Sequence, residues 1–189
     1  MHAFLASLVI VAVAEIGDRT QLLSFVLASR FRRPVPILCG ILLATLANHA
    51  VAALIGSWLG AAIDGGALRW ILGSSFLAMA AWALVPDRLG EEDKPKPRNG
   101  NAFLATLACF FIAEIGDKTQ IATVALAAHY ESLAWVVLGT TAGMMAANLP
   151  VVLCGHFVSH RFDARWARYG AALLFAAEGA AALAGWRLF

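Results

Sequence analysis

Six long apolar runs, at residues 4–29, 35–58, 66–86, 102–128, 133–158 and 168–188, occupy most of the 189-residue chain. Each reaches the roughly 20 residues needed to cross a hydrocarbon core as a helix. No water is present in that core to hydrogen-bond the backbone, so a spanning run has to close its own N–H and C=O groups, which an α-helix does. The composition, 61% hydrophobic and 14% charged, is too apolar for one soluble domain of this length. The expected fold is therefore an all-α polytopic membrane protein with six transmembrane helices. A formal charge of +2 gives no reason to expect a nucleic-acid partner. The first run is too long for a signal-peptide core, lacks a basic flank and carries charges, so it is read as a helix of the mature protein.

The chain also repeats itself. A shift of 99 residues lays "AEIGDRTQ" on "AEIGDKTQ", so that Glu15, Gly17, Asp18, Thr20 and Gln21 fall on Glu114, Gly116, Asp117, Thr119 and Gln120. The same shift pairs Gly40 with Gly139, His49 with Asn148, Gly56 with Gly155 and Asp64 with Asp163. Register kept over two such stretches indicates duplication. Residues 1–86 form repeat 1, 87–101 a charged linker with prolines and glycines, and 102–189 repeat 2. Three helices per repeat is an odd number, so the second copy must cross the membrane in the opposite sense, as inverted repeats do.

Basic residues set the orientation. The loops after the first, third and fifth helices, with their flanks, hold Arg30, Arg32, Arg33, Arg88, Lys94, Lys96, Arg98, Arg161, Arg165 and Arg168, and the other face holds Arg69 and Arg187. By the positive-inside rule the linker is cytoplasmic and both termini lie outside.

The repeated motif places charge where it is costly. An ionisable group at the bilayer centre costs roughly 2.5–3.5 kcal/mol on insertion scales and usually faces an interior cavity or marks an ion path. On a straight helix Gln21, Asp18, Glu15 and Arg19 share one face, whereas Thr20 points away, so Thr20 joins a site only if the helix is distorted; Gly17 would permit that. An approximate two-fold axis would bring Glu15 and Asp18 opposite Glu114 and Asp117. With the amide oxygens of Gln21 and Gln120, these carboxylates make a hard, all-oxygen donor set suited to Mg²⁺, Ca²⁺ or Mn²⁺. Cys39, Cys109 and Cys154 form no metal-ligand spacing and are read as small core residues. Four carboxylates with Arg19 and Lys118 sum to −2, a charge that one divalent cation or two protons would cancel. The same four acids are thus candidates both for cation binding and for proton coupling.

These residues resemble a known family, the manganese/calcium:proton exchangers of bacterial inner membranes, chloroplasts and the Golgi, which includes the bacterial manganese exporters of the MneA type. Its signature, E-x-G-D-[KR]-[TS], occurs once per three-helix repeat and matches here as Glu15-Ile-Gly-Asp-Arg-Thr20 and Glu114-Ile-Gly-Asp-Lys-Thr119. The resemblance covers essentially the whole chain. It implies a six-helix cation/proton antiporter in the bacterial inner membrane, not an enzyme, exporting Mn²⁺ from the cytoplasm, with Ca²⁺ the other substrate class. No cofactor is implied beyond the transported cation and H⁺, and the lipid bilayer is the other expected partner. Glu178, in the last helix, departs from the pattern.

Several residues admit two readings. Arg19 and Lys118 act as counter-ions in the site or turn aside to bind carbonyls or a neighbouring helix. Thr20, Thr119, Asn48, His49 and Asn148 line the pathway or tie helices together. Glu178 is a proton relay, a partner for a motif cation or a wetted residue near the outer interface, while Asp64 and Asp163 are expected at the interface. Two rival functions are weighed. A passive divalent-cation channel would need a pore-lining ring, which six helices around one midplane site do not suggest. An intramembrane aspartyl protease would show Gly-x-Gly-Asp around one aspartate, where this chain has Glu15 or Glu114 at the first glycine.

Overall fold

The computed structural model describes residues 1–86, 101–130, 132–158 and 164–185. Among them lie eight helices and no strand. They are α1 (His2–Glu15), α2 (Arg19–Phe31), α3 (Pro34–Ala62), α4 (Gly65–Ala83), α5 (Ala102–Glu114), α6 (Lys118–Tyr130), α7 (Leu133–Val158) and α8 (Ala164–Ala184). The linker at 87–100 and Asp163 fall outside the described residues.

Two of the expected helices are each a pair. The runs at 4–29 and 102–128 are not continuous: α1 stops at Glu15 and α2 restarts at Arg19, as α5 stops at Glu114 and α6 restarts at Lys118. Both breaks are made the same way. Ile16 and Ile115 are extended, at φ −65°, ψ 115° and φ −63°, ψ 118°, and Gly17 and Gly116 take φ of +80° and +75°. That left-handed conformation costs any residue with a Cβ about 1–2 kcal/mol, which is why glycine stands at the break. Asp18 and Asp117 then open the next half-helix, each accepting from the backbone N–H two residues on, Thr20 and Thr119, as N-cap carboxylates do. Three residues past the cap, Gln21 and Gln120 reach back to the N–H of Gly17 and Gly116, both at 2.8 Å. This is a capping box whose return bond lands one residue earlier than usual.

Helices α3 and α7 are the long apolar rods, with α3 over 29 residues and α7 apolar over 22, and each is long enough to cross a membrane by itself. The broken pair α1/α2 packs on α7, and the pair α5/α6 packs on α3. Close approach on α7 depends on Gly143, where a Cβ would sit 2.6 Å from the Leu8 carbonyl oxygen of α1. Helices α4 and α8 pack on each other.

The buried apolar side chains form two clusters, and the broken helices pass between them in opposite orders. Ile10 of α1 lies in the first cluster and Leu23 of α2 in the second, whereas Phe110 of α5 lies in the second and Leu126 of α6 in the first. The rods follow suit: α3 runs from Ile41 in the second to Ala53 in the first, and α7 from Val136 in the first to Val152 in the second.

Large apolar residues also cover the outside, among them Leu42, Leu43, Leu46, Leu54 and Trp58 along α3. Such a contiguous exposed apolar face on a helix suits lipid rather than water. Two of the cysteines correct the expectation of a core position, since Cys39 and Cys154 are exposed. A lipid-facing stripe and a core stripe have the same composition, so the sequence alone does not separate them.

Candidate functional site

The two breaks bring both motifs into the interior together. Glu15, Asp18, Glu114 and Asp117 are all buried, and so is Lys118. The motif cations pair crosswise. Lys118 Nζ lies 2.5 Å from Asp18 Oδ1, and Arg19 Nε lies 3.5 Å from Asp117 Oδ1. Each half-helix therefore places its cation on the capping carboxylate of the other repeat. Arg19 also donates through Nη2 to the Ala113 carbonyl at 2.5 Å. Of the two readings open for Arg19, both occur at once: it pairs with the acid and binds a carbonyl.

The glutamates are held differently. Glu15 Oε1 accepts from the Thr20 hydroxyl and, at 3.2 Å, from Asn148 Nδ2 on α7. Glu114 Oε1 accepts from Thr45 Oγ1 on α3 at 2.6 Å, and its Oε2 stands 4.0 Å from His49 Nε2. So α7 of the second repeat serves Glu15, and α3 of the first serves Glu114.

The straight-helix projection that turned Thr20 away from the acids fails here. The break at Gly17 resets the angular count, and Thr20 is buried with its hydroxyl bonded to Glu15 and, at 3.2 Å, to Asp18 Oδ2. Thr119 likewise donates to Asp117 Oδ2 at 3.0 Å. Gln21 and Gln120 lie beside the acids with their amide oxygens engaged by the glycine N–H groups. Their amide nitrogens donate to the Ala147 carbonyl at 3.0 Å and to Asn48 Oδ1 at 3.4 Å. Asn48 in turn donates to the Phe111 carbonyl at 3.2 Å.

Glu178 is not brought to the motifs. It is buried on α8 and accepts from Tyr130 at 3.4 Å, and Tyr130 lies about 18 Å along α6 from Lys118 at 1.5 Å per residue. Asp64 is exposed and caps α4, accepting from the Gly66 N–H at 3.0 Å. Two contributors escaped sequence reasoning, Thr45 on Glu114 and Ser24, whose hydroxyl donates to Asn148 Oδ1 at 2.5 Å. Helical spacing could have flagged them, since Thr45 lies four residues before His49 and Ser24 three after Gln21.

Among the described residues, no three His, Cys, Asp or Glu side chains converge closely enough to hold a metal ion. The motif acids instead meet the motif cations and hydroxyl and amide donors, while Glu15 Oε2 and Glu114 Oε2 are buried without a hydrogen bond. The arrangement amounts to two half-sites, each with a glutamate at the end of one half-helix and an aspartate at the start of the next.

The family model described as "Divalent cation/proton antiporter GDT1" matches residues 3–91 and 102–187. The chain belongs to that family. It is thus a member of a membrane transporter family and not an enzyme. A Vibrio cholerae protein named "Putative manganese exporter" is 53% identical over 156 residues, covering 82% of this chain and 77% of its own. A GDT1-like protein of Synechocystis is 31% identical over 197 residues, 93% of each chain. The chloroplastic protein PAM71 of Arabidopsis thaliana is 37% identical over 75 residues, 40% of this chain and 20% of its own. No solved structure matches.

Proposed function

We propose that this chain exchanges a divalent cation for protons across the bacterial inner membrane, exporting Mn²⁺ from the cytoplasm, with Ca²⁺ as a second substrate. In this reading it crosses the membrane six times, as two inverted three-helix repeats at 1–86 and 102–189 joined by a cytoplasmic linker, with both termini outside. Two observations support the inversion. The repeats share a motif at a 99-residue shift, and their helices pass between the two apolar clusters in opposite orders.

The observation that carries the proposal is the crosswise pairing of Lys118 with Asp18 and of Arg19 with Asp117, beside the buried Glu15 and Glu114. Two cations against four carboxylates leave a formal −2, equal to one divalent cation or two protons. A cation arriving at Asp18 or Asp117 must displace an ammonium or guanidinium that already occupies the carboxylate. Exchange of internal for external cations of this kind avoids leaving a bare buried charge, which is expensive in either conformation. Glu15, Asp18, Glu114 and Asp117 serve as cation ligands and proton carriers. Gln21 and Gln120 shape the breaks and retain a lone pair each for the cation, and Thr20, Thr119, Asn48 and Asn148 orient the acids. The named manganese relative supports Mn²⁺ as the cargo.

The test is transport in proteoliposomes with voltage clamped. Mn²⁺ movement should follow an imposed pH gradient and be lost in Asp18→Asn and in Asp117→Asn. Transport indifferent to the gradient would remove proton exchange, and exchange retained in both variants would remove the site.

A further inference from the structure

The two half-sites are chemically unequal, and the difference lies in His49. At the 99-residue shift His49 corresponds to Asn148. Asn148 gives Glu15 an ordinary amide hydrogen bond and accepts one from Ser24. His49 does neither for Glu114. Its imidazole is fully buried, and neither ring nitrogen has a hydrogen-bond partner. Glu114 Oε2, 4.0 Å away, is likewise buried without a hydrogen bond, and 4.0 Å is beyond hydrogen-bond reach. Glu15 Oε2 in the other half-site is also buried without a hydrogen bond, so what sets this half apart is an unpartnered imidazole facing the carboxylate. Buried polar groups left unpaired are costly enough to need a reason.

A shared cation supplies one. Two donors each about 2.1 Å from one ion stand between about 3.0 and 4.2 Å apart, depending on the angle between them. The His49–Glu114 separation falls in that range. We infer that His49 is a nitrogen ligand to the transported cation in the Glu114 half-site, and that it selects a first-row transition-metal dication over Ca²⁺ and Mg²⁺. The chemistry follows from the donor. Ca²⁺ and Mg²⁺ take oxygen ligands, whereas an imidazole nitrogen favours first-row transition ions, least strongly Mn²⁺ at the foot of the order Mn²⁺ < Fe²⁺ < Co²⁺ < Ni²⁺ < Cu²⁺. Thr45, one turn before His49 on α3, holds the other carboxylate oxygen of Glu114 at 2.6 Å, leaving Oε2 directed to the ion. This inference rests on the proposed transport function and adds to it the class of cation preferred.

The experiment uses the full chain with Mn²⁺, Ca²⁺ and Mg²⁺ as probes. His49→Asn converts this half-site to the pattern of its repeat. In proteoliposomes the variant should transport Mn²⁺ with a Mn²⁺ to Ca²⁺ preference lowered about tenfold or more, tenfold being the lower end of what loss of even an outer-shell partner of a metal ligand costs. Transport at the wild-type rate with unchanged preference would overturn the assignment. Pulsed electron paramagnetic resonance of Mn²⁺ bound to the purified protein provides a second readout, used also if the variant does not transport. A nitrogen coupling that shifts on isotopic labelling of histidine should be present in the wild type and absent from His49→Asn. Absence from the wild type, or persistence in the variant, would overturn it. Failure of the transport proposal itself looks different: there the wild type moves no Mn²⁺, or Asp18→Asn and Asp117→Asn continue to exchange.

Discussion

Lys118 and Arg19 hold matching positions in the two motifs but sit in different surroundings. The Lys118 side chain is 3% exposed against an Asp18 at 0%, whereas that of Arg19 is 29% exposed and shares its guanidinium between Asp117 and a carbonyl. Breaking a buried pair by removing one partner costs about 3–5 kcal/mol, because the other charge is left uncompensated. Lys118→Met should therefore lower the melting temperature in detergent, followed by tryptophan fluorescence, well beyond Arg19→Met. Adding Asp18→Asn to Lys118→Met should recover part of the loss. Equal destabilisation by the two single variants would show that the ion pairs do not differ in burial cost. The acids and cations were legible from their presence in apolar runs. Their crosswise pairing was not, because it joins Arg19 to Asp117 and Lys118 to Asp18, 98 and 100 positions apart in the chain.

At the scale of the element, the break between half-helices rests on one backbone conformation. A Cβ added at Gly116 would meet nothing within 4 Å, so substitution there isolates the cost of its +75° φ. Gly116→Val should destabilise by about 1–2 kcal/mol, and Gly116→Asn by less, since Asn visits the left-handed region more readily. Thermal unfolding of the two variants gives the comparison; a Val variant as stable as Asn would mean that the break does not depend on this dihedral. The sequence carried more of this than a helical wheel extracts from it. Glycine followed by Asp-x-x-Gln is the spacing of a helix start with a capping box, and it occurs at both breaks. The wheel placed Thr20 and Thr119 away from the acids because it assumed one straight axis.

For the whole molecule, the decisive arrangement is the exchange of partners between halves, with α1/α2 on α7 and α5/α6 on α3. Neither half then completes its own site: Glu15 depends on Asn148, and Glu114 on Thr45. The proposed orientation yields a direct check. A phosphatase active only outside the cytoplasm should report activity when fused after residue 185 and none when fused within the linker at 87–100. The reverse pattern would invert the direction assigned to transport. The basic residues behind this prediction are concentrated in three loops by sequence alone.

The sequence by itself determined that this chain is helical, apolar enough for lipid and equipped with one acidic motif that occurs twice, at a 99-residue shift. Those are matters of composition and periodicity, which a linear pattern records. Only the tertiary structure decided that the motif helices are broken, that each motif cation neutralises the other motif's aspartate, and that His49 faces Glu114 while Asn148 bonds Glu15. These depend on distances between residues far apart in the chain and on the direction of side chains after a left-handed glycine. The local pattern marks where each motif helix restarts but encodes neither the distances nor the resulting side-chain directions.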